Sequence, residues 1–138
     1  MTEQTTDAER AARNVELVQA GYDAFTSGDF ATVEKLFRPD AVWHAQRLGA
    51  LSGDHTGWPE ILRFFGETME ISNGTFRVTV TERYSSPEGV AFMVRSQAQR
   101  DGRTLDDRQI HVFKLDGEQA AEVWQFVGDG RAVDEFWS

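Results

Sequence analysis

QIHVFKLDGEQAAEVWQFV, residues 109–127, decides the fold. It reads as two antiparallel strands joined by a tight turn at Asp116-Gly117, a favoured two-residue hairpin pair. Asp101-Gly102 supplies a second such turn just upstream. Counting back from the first turn in the chain sets Arg100 opposite Arg103, Val94 opposite Gln109 and Phe92 opposite His111. Counting back from the second sets Leu115 opposite Glu118, Phe113 opposite Ala120, His111 opposite Glu122 and Gln109 opposite Trp124. Side chains alternate between the two faces of a sheet. One face is therefore expected to carry Phe92, Val94, Phe113, Leu115, Trp124 and Phe126, with a small polar group of Asp107, Gln109, His111 and Glu122 among them. The other face carries Met93, Arg95, Arg108, Ile110, Lys114 and Gln125.

Working outward, Phe76 to Tyr84 alternates apolar with polar residues, and Gly89 to Arg100 reads as the next strand. The N-terminal half has the helical period instead. Thr6-Asp7-Ala8-Glu9 fits a capping box, and Val15, Val18, Tyr22 and Phe25 form one apolar stripe that ends at Ser27-Gly28-Asp29. Phe30, Val33, Leu36 and Phe37 give a short second helix, stopped by Arg38-Pro39-Asp40. Ala41 to His44 reads as a short strand and Ala45 to Gly57 as a loop. Pro59 suits the first turn of a third helix with Ile61, Leu62, Phe65 and Met69 on its buried side. Helices followed by a run of antiparallel strands define an α+β fold, with the helices on one face of a meander. A length of 138 residues fits a single domain, 1–138. Residues 1–13 are expected to be flexible or a helix extension. Residues 128–138 are expected to be a tail that docks Phe136 and Trp137 on the body.

Composition narrows the chemistry. Cysteine is absent, which removes disulfides, thiolate metal sites and a thiol nucleophile. The net charge of −9 disfavours nucleic acid and anionic lipid as partners. The polar N-terminus and the lack of a long apolar stretch lead to the expectation of a cytoplasmic protein without membrane contact. No phosphate loop, dinucleotide fingerprint, G-x-S-x-G elbow or H-E-x-x-H occurs, so no cofactor and no metal are expected. Only three histidines are present: His44, His55 and His111. His55 lies between glycines and reads as a solvated turn residue. His111 beside Glu122 would be a pair whose charge state is poised, since the carboxylate favours imidazolium and burial opposes it. Such a pair is material for acid–base catalysis, and it is equally compatible with a plain cross-strand contact.

The segments AGYDAFTSGDFATVEKLFRPDAVWH and LSGDHTGWPEILRFF, followed by the meander ending HVFKLDGEQAAEVWQF, resemble the SnoaL-like branch of the nuclear-transport-factor-like superfamily. That group includes ketosteroid isomerases, polyketide cyclases and limonene-epoxide hydrolases. The resemblance runs from about Val15 to Phe136. It implies a cone-shaped α+β barrel, a curved antiparallel sheet wrapped by three N-terminal helices around an internal pocket. It also implies a homodimer packed through the outer sheet face. His44 falls where the isomerases place their general base, and His111 where they place an oxyanion donor. Tyr22 stands one residue from the position of their oxyanion tyrosine. The epoxide hydrolases' Asp–Arg–Asp set is not reproduced, since Arg95 and Arg108 face away from Asp107. The resulting expectation is a cofactor-independent acid–base enzyme of isomerase, cyclase or hydrolase type acting on a small, largely apolar molecule. His44, His111 and Glu122 are its candidate catalytic residues. Tyr22, Trp43, Phe92, Gln109, Phe113, Trp124 and Phe126 are the candidate pocket walls. The alternative is a binding protein of the same fold without turnover.

Overall fold

The computed structural model describes residues 6–138. Eleven elements follow in order: α1 (Asp7–Ser27), α2 (Phe30–Leu36), β1 (Phe37–Ala45), a 3₁₀ turn (Gly49–Leu51), β2 (Gly53–Thr56), α3 (Trp58–Ile71), β3 (Arg77–Ser86), β4 (Gly89–Arg100), β5 (Arg103–Asp116), β6 (Gln119–Phe126) and α4 (Gly130–Trp137). The six strands form one sheet in the order β2-β1-β6-β5-β4-β3. All neighbours are antiparallel except β1 and β6, which are parallel. This is the α+β architecture that the sequence implies, with four helices where three were expected. Residues 1–5 of the expected N-terminal segment lie outside the described residues, and Asp7–Arg13 are the first turns of α1.

Local chemistry explains the boundaries. Thr6 caps α1 by accepting the Glu9 amide at 3.1 Å. Gly28 ends α1 with φ of 78°, a left-handed conformation that glycine adopts at little cost. β1 starts at Phe37 rather than Ala41. Its pairing with β6 is interrupted between Phe37 and Val42, where Pro39 offers no backbone donor. The expected loop 45–57 contains the 3₁₀ turn and the four-residue β2, which pairs with the end of β1. On α3 the buried residues are Trp58, Ile61, Phe64, Phe65 and Thr68, while Leu62 is exposed.

The first meander hairpin has the expected register, with Arg100 opposite Arg103 and Phe92 opposite His111. Asp101 and Gly102 both have positive φ, the type I′ signature. The second hairpin departs from expectation twice. Its central residues are Gly117 and Glu118, with Asp116 opposite Gln119 and Leu115 opposite Ala120. Ala121 is then an extra residue, because Lys114 already faces Glu122. A slip of two residues preserves facing, but a bulge of one reverses it. Beyond Ala121, His111 therefore pairs with Gln125, not Glu122, and Glu122, Trp124 and Phe126 turn to the outer face.

The tail is the helix α4, capped by Asp129, whose side chain accepts the Ala132 amide at 3.1 Å. Val133, Phe136 and Trp137 are its buried stripe. The carboxylate of the buried Asp107 anchors this segment by accepting the amides of Gly128 and Asp129, both at 2.9 Å. Gly49 admits α4 on the other side. Its φ is 54°, and a β-carbon there would stand 2.6 Å from the Trp137 backbone carbon. Among the described residues, no helix is long and apolar enough to cross a membrane.

Candidate functional site

The inner face of the sheet and the helices enclose a cavity of about 80 Å³. Its walls come from α1 (Val18, Tyr22, Phe25), α3 (Phe64, Phe65), β5 (His111, Phe113) and Trp137 of α4, among others. Among the described residues, no Asp, Glu, Lys or Arg lines it. Drug-sized ligand sites usually measure roughly 300–1,000 Å³. The space as it stands is far smaller, so even a slender organic molecule enters only as side chains move.

Inside, His111 is 5 % exposed. Its Nδ1 lies 2.6 Å from the Tyr22 hydroxyl, and its Nε2 has no partner. Tyr22 also stacks on Phe92 at 5.3 Å, and Trp43 meets the His111 ring edge-on at 5.5 Å. Burial raises the Tyr22 pKa well above its ordinary value and lowers that of His111 to about 3. Both groups are therefore neutral near pH 7. If Tyr22 donates to Nδ1, a single donor, Nε2–H, is left unpaired. The opposite tautomer would strand both the tyrosine proton and the Nε2 lone pair, so the first arrangement is favoured. His111 thus lines an apolar cavity and carries one desolvated N–H without a partner. Beside it runs a hydrogen-bonded chain: Trp43 Nε1 donates to Gln125 at 3.0 Å, Gln125 to Gln109 at 2.8 Å, and Gln109 to Asp107 at 3.1 Å.

The candidate residues divide between the two faces. Tyr22, Trp43, Gln109, His111 and Phe113 line the cavity, and Phe92 lies behind Tyr22. His44, Glu122, Trp124 and Phe126 do not line it. Trp43 and Ala45 take the inner positions of β1, which puts His44 on the outer face. The bulge at Ala121 puts Glu122, Trp124 and Phe126 there too, and Phe126 is 51 % exposed. His44 Nδ1 lies 2.7 Å from Asp54 and Nε2 lies 2.6 Å from Glu122, while the ring stacks on Trp124. Both nitrogens face carboxylates, so the imidazolium is the form that satisfies them, and no lone pair remains for a general base. Asp54 first and Glu122 second raise the His44 pKa above its ordinary value. His55 belongs to β2 rather than to a solvated turn. Its Nε2 donates to the Leu51 carbonyl at 2.9 Å, and its ring stacks on Phe64 at 4.3 Å. On the outer face Arg95 is matched by Asp106 at 2.5–2.8 Å.

The His44 clamp has a definite pH signature. Its folded pKa is raised, so its contribution is full below the unfolded pKa of 6.5 and is lost as pH rises through the folded value. The stability advantage of the wild type over His44→Gln is expected to be larger at pH 6 than at pH 9, by urea unfolding. An advantage that grew towards pH 9 would mean the ring is not held as imidazolium.

Ser96 and Gln125 are among the cavity residues that the sequence did not bring out. Ser96 shares the inner row of β4 with Phe92, Val94 and Ala98, and it is 1 % exposed. A lone serine in an otherwise apolar inward row was the available signal. Gln125 was assigned to the wrong face because nothing in Gln119-Ala120-Ala121-Glu122 marks a bulge.

The SnoaL-like domain profile matches residues 18–123, more than half of the chain. The protein belongs to the SnoaL-like family. An uncharacterised protein of Mycobacterium tuberculosis is 29 % identical over 126 residues, covering 91 % of this chain and 96 % of that protein. The structure of Bal32a, from a soil-derived mobile gene cassette, is 33 % identical with a TM-score of 0.90, covering 94 % of this chain and 99 % of that one. IdmH, a putative polyketide cyclase from Streptomyces antibioticus, is 19 % identical with a TM-score of 0.70, covering 83 % and 91 % respectively, and shares the fold.

Proposed function

We propose that the protein is a cofactor-independent enzyme of the isomerase or cyclase type. It takes a small, neutral, largely apolar carbonyl compound into the internal cavity, where His111 Nε2–H polarises the carbonyl oxygen. The observation that carries this reading is the buried Nε2 without a partner on a residue that lines a mainly apolar cavity. An unsatisfied donor there costs folding free energy unless something supplies an acceptor. A ketone oxygen does so, and a donor that needs no reorganisation stabilises negative charge developing on that oxygen. A carboxylate substrate fits poorly, since no cation among the described residues lines the cavity to pair with it. The putative cyclase role of IdmH lends support to the cyclase variant. Binding without turnover is the second reading. The lack of any carboxylate base among the described cavity walls favours it.

Benzylacetone is a slender ketone suited to a direct test. Its carbonyl stretch is expected at lower frequency in the complex than in apolar solvent, and His111→Leu should abolish that shift. Butylbenzene, which lacks the oxygen, should bind the variant at least as well as the wild type. A bound ketone with an unperturbed stretch, or one indifferent to His111→Leu, would sink the assignment. Turnover of carbonyl compounds by the wild type but not by His111→Leu separates the enzyme from the binding protein.

A further inference from the structure

Among the described residues, three buried polar side-chain atoms have no hydrogen-bond partner: Ser96 Oγ, Arg100 Nε and His111 Nε2. Arg100 is engaged elsewhere, because its Nη1 donates to the Phe136 carbonyl at 3.0 Å. The residues that carry the other two, Ser96 and His111, both line the cavity. A hydroxyl left dry in an apolar wall is a cost that alanine at the same place would avoid. The nearest acid in register gives Ser96 no relief. Asp107 faces Ser96 across β4 and β5, but its carboxylate accepts Gly128, Asp129 and Gln109. On the other side Ser96 faces Val78, which offers no polar side-chain atom.

The residues that carry the two orphaned atoms are set apart along the sheet. His111 is opposite Phe92, and Ser96 is four residues further along β4. At about 3.3 Å per residue that separates them by roughly 13 Å of strand. Side chains and hydrogen bonds reaching inwards from both ends shorten the span a ligand must cover. The His111 end is walled by Trp43 and Phe113, and the Ser96 end by Val78 and Leu105.

We propose that Ser96 is a second polar subsite, so that the ligand is a slender neutral molecule with a carbonyl oxygen for His111 at one end and a hydroxyl for Ser96 at the other. This rests on the cavity reading above and adds to it the chemistry of the ligand's far end. The serine hydroxyl both donates and accepts, so a phenol or alcohol satisfies it in either sense. An anionic group there would be buried without a counter-charge.

Benzylacetone and para-hydroxybenzylacetone differ only by that hydroxyl. Their dissociation constants would be measured by calorimetry for the wild type, Ser96→Ala and Ser96→Cys. The expected result is that the hydroxyl tightens binding to the wild type by about fivefold to tenfold, the scale of one buried hydrogen bond. In Ser96→Ala the gain should fall below about twofold. Ser96→Cys, whose larger thiol is only a weak donor and acceptor, should also lose most of the gain. If benzylacetone binds with its carbonyl shifted but the hydroxyl gives no gain, the Ser96 subsite is wrong and the His111 reading stands. A gain that survives in Ser96→Ala also overturns the subsite. If neither compound binds, both inferences fall together.

Discussion

Between pH 7.5 and pH 4 the wild type is expected to lose about 3 kcal/mol more unfolding free energy than a His111→Leu variant loses. The folded pKa of His111 is depressed from 6.5 to about 3 by burial alone, with no nearby charge to offset it. The unfolded chain takes up a proton between those values and the folded protein does not. Stability is therefore full above pH 6.5 and declines as the pH falls towards 3. The carboxylates titrate in both proteins and cancel in the comparison. His44 acts in the opposite sense, since its pKa is raised and its contribution disappears towards high pH. The two histidines thus separate by sign as well as by place. Urea unfolding at a series of pH values measures the difference. Parallel curves for wild type and variant would show that His111 is protonated, or solvated, in the folded state.

The difference between those two histidines was the part of the molecule least legible in the sequence. Elements set by local chemistry could be read: the Thr6 cap, the α1 stripe, and the Asp101-Gly102 turn, whose two positive φ angles need those residue types. The helix α4 was within reach as well, because Asp129 precedes Val133, Phe136 and Trp137 at helical spacing. The second hairpin was not. Gly117-Glu118 forms the turn centre as readily as Asp116-Gly117, and an alanine bulge leaves no compositional mark. The two-residue slip of the turn combined with the one-residue bulge, a net shift of three, exchanged Glu122 for Gln125 beside His111. It also moved the carboxylate to His44 on the opposite face. The partner His111 does have, Tyr22, is 89 residues away in the chain, and only tertiary packing pairs them. The resemblance to the isomerases brought Tyr22 and His111 into view separately, but not as a hydrogen-bonded pair.

That pair sets up the second large effect. Tyr22→Phe and His111→Leu are each expected to cost about 2 kcal/mol of stability, and the double variant no more than either single one. Each single change removes a neutral hydrogen bond and leaves its partner stranded where water does not reach. Tyr22→Phe keeps the ring that stacks on Phe92, so its cost reports the hydroxyl rather than the packing. His111→Leu strands the tyrosine proton but also removes the unpaired Nε2–H, which offsets part of its cost. In the double variant neither polar group remains, and replacing both partners with apolar groups of similar shape can be nearly neutral. The cycle should therefore show a coupling of at least about 2 kcal/mol. Nitrogen NMR of the imidazole adds what stability cannot report: the wild type should hold its proton on Nε2, and Tyr22→Phe should release it to both nitrogens. Additive energies together with an unchanged tautomer would mean that Tyr22 does not donate to Nδ1. Nothing would then hold the proton on Nε2, and the donor on which carbonyl recognition depends would be lost with it.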